Sequence, residues 1–235
     1  MTGAVSRNTG LFRGAIWTAL ALLPAVQPAP AQSQYPPVFR SNWFPISTEG
    51  FGDRQNSWAW SMAWYQNKLL VGTARAEQCV TAASAHQIDP VDPYPPTDPD
   101  ISCPANINDL SLQAEIWSFD PTTNIWTRVF QSPLTITVPN TTPPLLVPPD
   151  IGFRGMLVYT EPSGTQALYV GGCSSNEIHP GVPGGRLLRS TDGVNFYVVD
   201  SVGIAGNYGI RATVDVGGSG GSAAAANVVL APGGN

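Results

Sequence analysis

The sequence predicts an all-β chain built from repeated four-stranded antiparallel units, on three observations. A glycine-rich approach leads into an arginine and then an apolar run three times: Gly50-Phe51-Gly52-Asp53-Arg54, Gly152-Phe153-Arg154 and Gly206-Asn207-Tyr208-Gly209-Ile210-Arg211. About 57 residues separate Arg154 from Arg211, close to the period of roughly 50 for one propeller blade. The third observation is composition: 24 Gly and 23 Pro, with only 11% of residues charged, favour short strands joined by many turns. The expected architecture is an incomplete β-propeller of about two and a half blades, spanning residues 50–235.

The first blade covers residues 50–132. Its strands are read at Ser57–Tyr65, Leu69–Thr73, Ala114–Phe119 and Trp126–Phe130, with a Pro/Asp-rich insertion at 76–112 between the second and third. The second blade, 150–202, has strands at Met156–Tyr159, Ala167–Val170, Arg186–Arg189 and Phe196–Val199, each separated by a turn signal. A partial third, 207–235, has strands at Ile210–Val216 and Asn227–Ala231 around a Gly/Ser/Ala hairpin. It ends before a third strand, and this leads to the expectation of a fragment of a longer polypeptide; assembly with other chains is the competing explanation.

Residues 1–31 read as an export signal. Arg7 and Arg13 precede the apolar run Ala15–Val26, and Ala29-Pro30-Ala31 offers a small-x-small cleavage site. The run is short for a membrane span, so contact with a membrane is expected only during export, followed by a linking segment at 32–49. A secreted protein can keep disulfides. Cys79 and Cys103 both lie in the insertion and are expected to staple it, whereas Cys173 is either a buried thiol or pairs outside this sequence. Asn140-Thr141-Thr142 is a glycosylation sequon.

Net charge is −5, with no cluster of Lys or Arg. Nucleic acid is set aside as a partner, because neutralising phosphates is the main source of that affinity.

Gly171-Gly172 at the end of a strand, and Phe119-Asp120-Pro121-Thr122-Thr123-Asn124-Ile125-Trp126, resemble the glycine doublet and the aromatic-Asp…Trp turn of kelch repeats. Ser190-Thr191-Asp192-Gly193-Val194-Asn195-Phe196 is similar to that turn and to a shortened Asp-box of sialidase-type propellers. The first blade departs from the pattern, with Gly72-Thr73 where kelch repeats have two glycines. Asp120, Asn124, Asp192 and Gly193 are expected to hold turns, since Asp and Asn side chains bond back to nearby amides and Gly takes positive φ. The resemblance implies that first strands line a central channel, with Arg54, Arg154 and Arg211 around its mouth beside the Ser174–Gly184 loop carrying Glu177 and His179. Three such arginines could grip a carboxylate or sulfate and resemble the arginine triad of sialidases; repeat geometry accounts for them as well.

Trp58, Trp60 and Trp64 alternate along the first strand and are expected on one face, as inter-blade core or a sugar platform, with Trp58 exposed at the mouth. The insertion carries Glu77, Asp89, Asp92, Asp98, Asp100 and Asp109 and reads as a solvated acidic loop. Asp98 and Asp100 are candidate Ca²⁺ ligands there, and no other cofactor is expected. Neither His86 nor His179 has an adjacent nucleophile to make a triad. Two functions follow: a non-catalytic module binding a protein or glycan, or an extracellular carbohydrate-active enzyme, sialidase-like or lyase-like, whose catalytic residues lie partly beyond this sequence.

Overall fold

Strand β1 (Asn56–Tyr65) turns through Gln66 and Asn67, both at positive φ, into β2 (Lys68–Arg75), giving the two-residue hairpin that twisted strands favour. After the insertion come β3 (Glu115–Asp120) and β4 (Ile125–Gln131), and β1 to β4 pair in chain order as an antiparallel meander. A small hairpin of β5 (Ile136–Thr137) and β6 (Leu146–Val147) leads to a second meander. Its strands are β7 (Gly152–Thr160), β8 (Gln166–Cys173), β9 (Leu187–Ser190) and β10 (Tyr197–Asp200). β11 (Gly209–Asp215) and β12 (Val228–Gly233) form a further antiparallel pair. The computed structural model describes residues 45–200, 209–215 and 228–233, with backbone alone for 200, 211–215 and 228–233. The export-signal reading of 1–31, and most of 32–49, lie outside the described residues.

The meanders join into one ten-stranded curled antiparallel sheet through single bridges, Ala74 to Gly152 and Cys173 to Gly209. First strands lie side by side, β1 against β7 and β7 against β11. At each join a glycine makes room. A Cβ on Gly72 would stand 2.7 Å from the Phe153 side chain, and one on Gly171 2.6 Å from that of Ile210. A Cβ on Gly172 would meet the Asp150 carboxylate at 2.4 Å. The glycine doublet therefore admits the next first strand and a buried acid. In the first meander Thr73 replaces the second glycine, and its hydroxyl accepts the Glu115 N–H at 3.0 Å and donates to the Glu115 carbonyl at 3.2 Å.

Two apolar clusters hold this arrangement. Tyr65, Leu70, Ile116, Phe153, Leu168, Val170 and Leu188 pack between the two meanders. Cys79, Val80, Ala83, Leu110, Leu112, Ile151, Cys173 and Ile178 form the second, beneath the insertion.

The insertion is not simply the loop expected from its prolines. Its first half is helix α1 (Glu77–Ile88), which runs through Ala82-Ala83-Ser84-Ala85 and stops at Asp89-Pro90. Cys79, Val80 and Ala83 fall on one helical face and enter the core. The Cys79–Cys103 disulfide, with an S–S distance of 2.02 Å, ties α1 to the second half of the insertion. Cys173 is a buried free thiol. Among the described residues no helix is long and apolar enough to cross a membrane.

Candidate functional site

The bulges in the first strands decide where the arginines fall. Pairing shifts by one residue between Ala59 and Ser61, Phe153 and Gly155, and Ile210 and Ala212. The extra residue is Trp60 in β1, Arg154 in β7 and Arg211 in β11. Arg154 and Arg211 therefore share a register position, and the first strand offers a tryptophan there. Arg54 stands outside the strand, in the turn before β1, where its guanidinium donates to the Asp100 carbonyl. The expected ring of three equivalent arginines is corrected to two equivalent positions and one loop residue. Of the Arg211 side chain nothing is described.

The same bulge corrects the tryptophans. Trp58 pairs with Ala74 and Trp64 with Leu69. Those partners lie five residues apart on a regular strand, so Trp58 and Trp64 point to opposite faces. One extra residue inverts a period of two.

Trp58 remains 45% exposed on the wall of an open cleft of about 750 Å³. Glu49, Arg54, Ser57, Gln78 and Asp100 line the same cleft. Trp60 packs 5.9 Å behind Trp58, centroid to centroid, and the Arg154 guanidinium lies 4.3 Å from the centre of the Trp60 ring. This cation–π contact fixes the tryptophan pair from behind. The 49–54 turn is anchored as well: the buried Arg75 donates to Asp53 at 2.7 Å, to Asn56 at 3.1 Å and to the Ser111 hydroxyl at 2.8 Å.

Next to the cleft lies a buried group of titratable side chains. Glu77, the first residue of α1, is only 7% exposed, and its Oε2 has no hydrogen-bond partner. Burial first, then the nearby Glu177 carboxylate, push the Glu77 carboxyl up to about 7 against the pull of Arg154. Burial pushes the Cys173 thiol up to about 12, leaving it a poor nucleophile. His179 is 4% exposed, with Nε2 unpartnered, and burial holds its pKa below the ordinary 6.5 by disfavouring the charged ring. His179 thus belongs to the interior rather than to an exposed loop face, and Glu177 sits half-buried at the end of the short Ser175–Glu177 helical turn.

A testable consequence concerns stability. Glu77 has a native value near 7 against an ordinary 4.5, so the native state holds its proton more tightly and stability falls as pH rises from about 4.5 to 7. At 1.36 kcal/mol per unit this amounts to about 3 kcal/mol. Urea unfolding of Glu77→Gln is expected to lack that loss and to exceed the native sequence at pH 8; parallel pH profiles for the two would overturn the assignment.

The remaining expected residues are placed as follows. The Asp98 carboxylate accepts the Asp100 N–H at 2.9 Å, and among the described residues no three His, Cys, Asp or Glu side chains gather into a metal cluster. Asp120 accepts the Thr122 N–H at 2.9 Å and its hydroxyl at 2.6 Å, while Asn124 takes φ 57°. Asp192 accepts from the amides of Val194 and Asn195 and from the Asn195 side chain, which holds its carboxyl far below the usual range; Gly193 takes φ 70°. The expectation of a solvated acidic insertion fails at Glu77, whose helix turns it inward.

Comparison with protein-family models, with curated proteins and with solved structures returns no match.

Proposed function

We propose that this chain forms the blades of a secreted, kelch-like β-propeller and binds a neutral glycan in the Trp58 cleft. The observation that carries the reading is an exposed tryptophan, held rigid from behind, on the wall of an open cleft whose other groups are hydrogen-bonding side chains. An aromatic face packs on the C–H surface of a sugar ring, and polar groups around it pair with hydroxyls. Neutrality follows from charge. Glu49 and Asp100 flank the cleft, and the one lining arginine, Arg54, already donates to a backbone carbonyl.

Support for the propeller reading comes from the repeated join, in which Gly72 receives Phe153 and Gly171 receives Ile210, with first strands lying side by side. In a propeller each meander would be a blade and the first strands would line the channel. The Cys79–Cys103 disulfide fits an oxidising compartment.

Calorimetry and tryptophan fluorescence with cellohexaose, chitohexaose and hexagalacturonate test the proposal. A neutral hexasaccharide is expected to bind, the galacturonate is not, and Trp58→Ala is expected to weaken binding about tenfold. Equal affinity of Trp58→Ala and the native sequence overturns the cleft. Release of new reducing ends would replace the binding module by a carbohydrate-active enzyme.

A further inference from the structure

We propose that Glu77 is a proton-operated latch: its neutral carboxyl lets the first turn of α1 pack against the head of β7 and the end of β8, and its ionisation lifts that turn and reshapes the cleft wall.

The geometry begins with an unsolved contact. Glu77 opens a twelve-residue helix and points into packed protein, where Oε2 finds no donor. A buried carboxylate in that position lacks both water and a partner, so the ionised form is the costly one. Three charged or titratable groups face it from the neighbouring elements: Arg154 on β7, Cys173 at the end of β8, and Glu177 in the turn after β8. Arg154 supplies the opposing charge, yet its guanidinium also covers the Trp60 ring, and Glu177 opposes any negative charge on Glu77. The resulting shift brings the transition into the neutral range.

The latch is wired to the cleft at one point. The Glu77 N–H donates to the Ser57 hydroxyl at 3.2 Å, and Ser57 and Gln78, on either side of that bond, both line the cleft next to Trp58. Movement of the first helical turn therefore moves two walls together. The far end of α1 is pinned separately, by the Gln87 side-chain amide donating to the Ile178 carbonyl at 2.8 Å. His179 follows directly, buried and with its own Nε2 unpartnered, so that end is weakened by acid where the first turn is weakened by base. The disulfide at Cys79 keeps the released turn tethered.

Hydrogen exchange of the peptide covering residues 77–88, corrected for the intrinsic pH dependence of exchange, needs no ligand and reads the latch directly. In the native sequence the opening constant is expected to rise up to about tenfold per pH unit between about 4.5 and 7 and to level off above 7. Glu77→Gln should hold it flat, and Glu177→Gln should make the rise level off at a lower pH. A flat native profile, or a slope that survives in Glu77→Gln, overturns the latch. The effect on ligand rests on the cleft reading: cellohexaose is expected to bind with different affinity at pH 6 and pH 8 in the native sequence only. Failure of cellohexaose and chitohexaose to bind at either pH sinks the cleft and leaves the exchange result standing.

Discussion

Replacing Asp150 by alanine is expected to lower the unfolding free energy by about 3–5 kcal/mol, the cost of stranding one charge of a buried pair. Asp150 is wholly buried just before β7, and burial raises its carboxyl despite the partner it has. Arg186 Nε donates to both carboxylate oxygens at 3.0 Å, its Nη2 donates to one of them at 2.5 Å, and the Ser132 hydroxyl adds a third donor at 3.0 Å. Its backbone is equally committed, accepting the Ala114 N–H at 3.2 Å. One residue thus ties the strands of both meanders together. Alanine leaves the Arg186 guanidinium without its counter-charge and empties the space that Gly172 provides. Urea denaturation of Asp150→Ala measures the loss, and the double variant Asp150→Ala/Arg186→Met is expected to recover much of it. A loss under about 1 kcal/mol would show that the pair contributes little.

Gly72→Val is expected to cost about 3 kcal/mol through overpacking at the join between meanders. The new Cβ would stand 2.7 Å from Phe153 Cβ, 2.7 Å from Ser61 Oγ and 3.0 Å from the Phe153 carbonyl oxygen. Two of these three atoms belong to the backbone or to the root of a side chain, so no rotamer change relieves the clash. The bond from the Ser61 hydroxyl to the Phe153 carbonyl, 2.7 Å long, would break with it, adding about 1 kcal/mol. Thermal and urea unfolding check the value, and unchanged stability would mean that the two meanders separate at little cost.

Ten strands were legible in the sequence to within a few residues, because each is a short apolar run bounded by turn chemistry: Gln66-Asn67, Asp120 to Asn124, Glu161 to Gly164 and Ser190 to Gly193. Local features hold those turns in the structure, side-chain bonds at Asp120 and Asp192, a backbone bond at Gly164 and positive φ at Gln66 and Asn67, so local sequence sufficed. The β5–β6 hairpin was not legible, since two-residue strands flanked by Pro139, Pro143 and Pro144 carry no periodicity. Helix α1 left a signal in its alanines that the surrounding prolines and aspartates masked. The pair made by Asp150 and Arg186, 36 residues apart, left none.

The candidate site was legible only in part. Trp58 is exposed, on the wall of the cleft, but the arginines are not equivalent: the glycines around Arg54 resemble those before Arg154, while strand register gives Trp60 the position equivalent to Arg154. Glu77 reads as a solvated acid among the insertion's aspartates, and only the helix that carries it shows it buried.

By itself, then, the sequence determined the strands, their turns, their order and the Cys79–Cys103 staple, all of which depend on neighbours along the chain or on a short loop. Only the tertiary structure decided which residues stand at equivalent positions and which acids are buried. A one-residue bulge reverses every side chain beyond it, and burial depends on elements packed from far away in sequence. That is why Trp60 meets Arg154, and why the helix turns Glu77 inward, where its Oε2 has no hydrogen-bond partner.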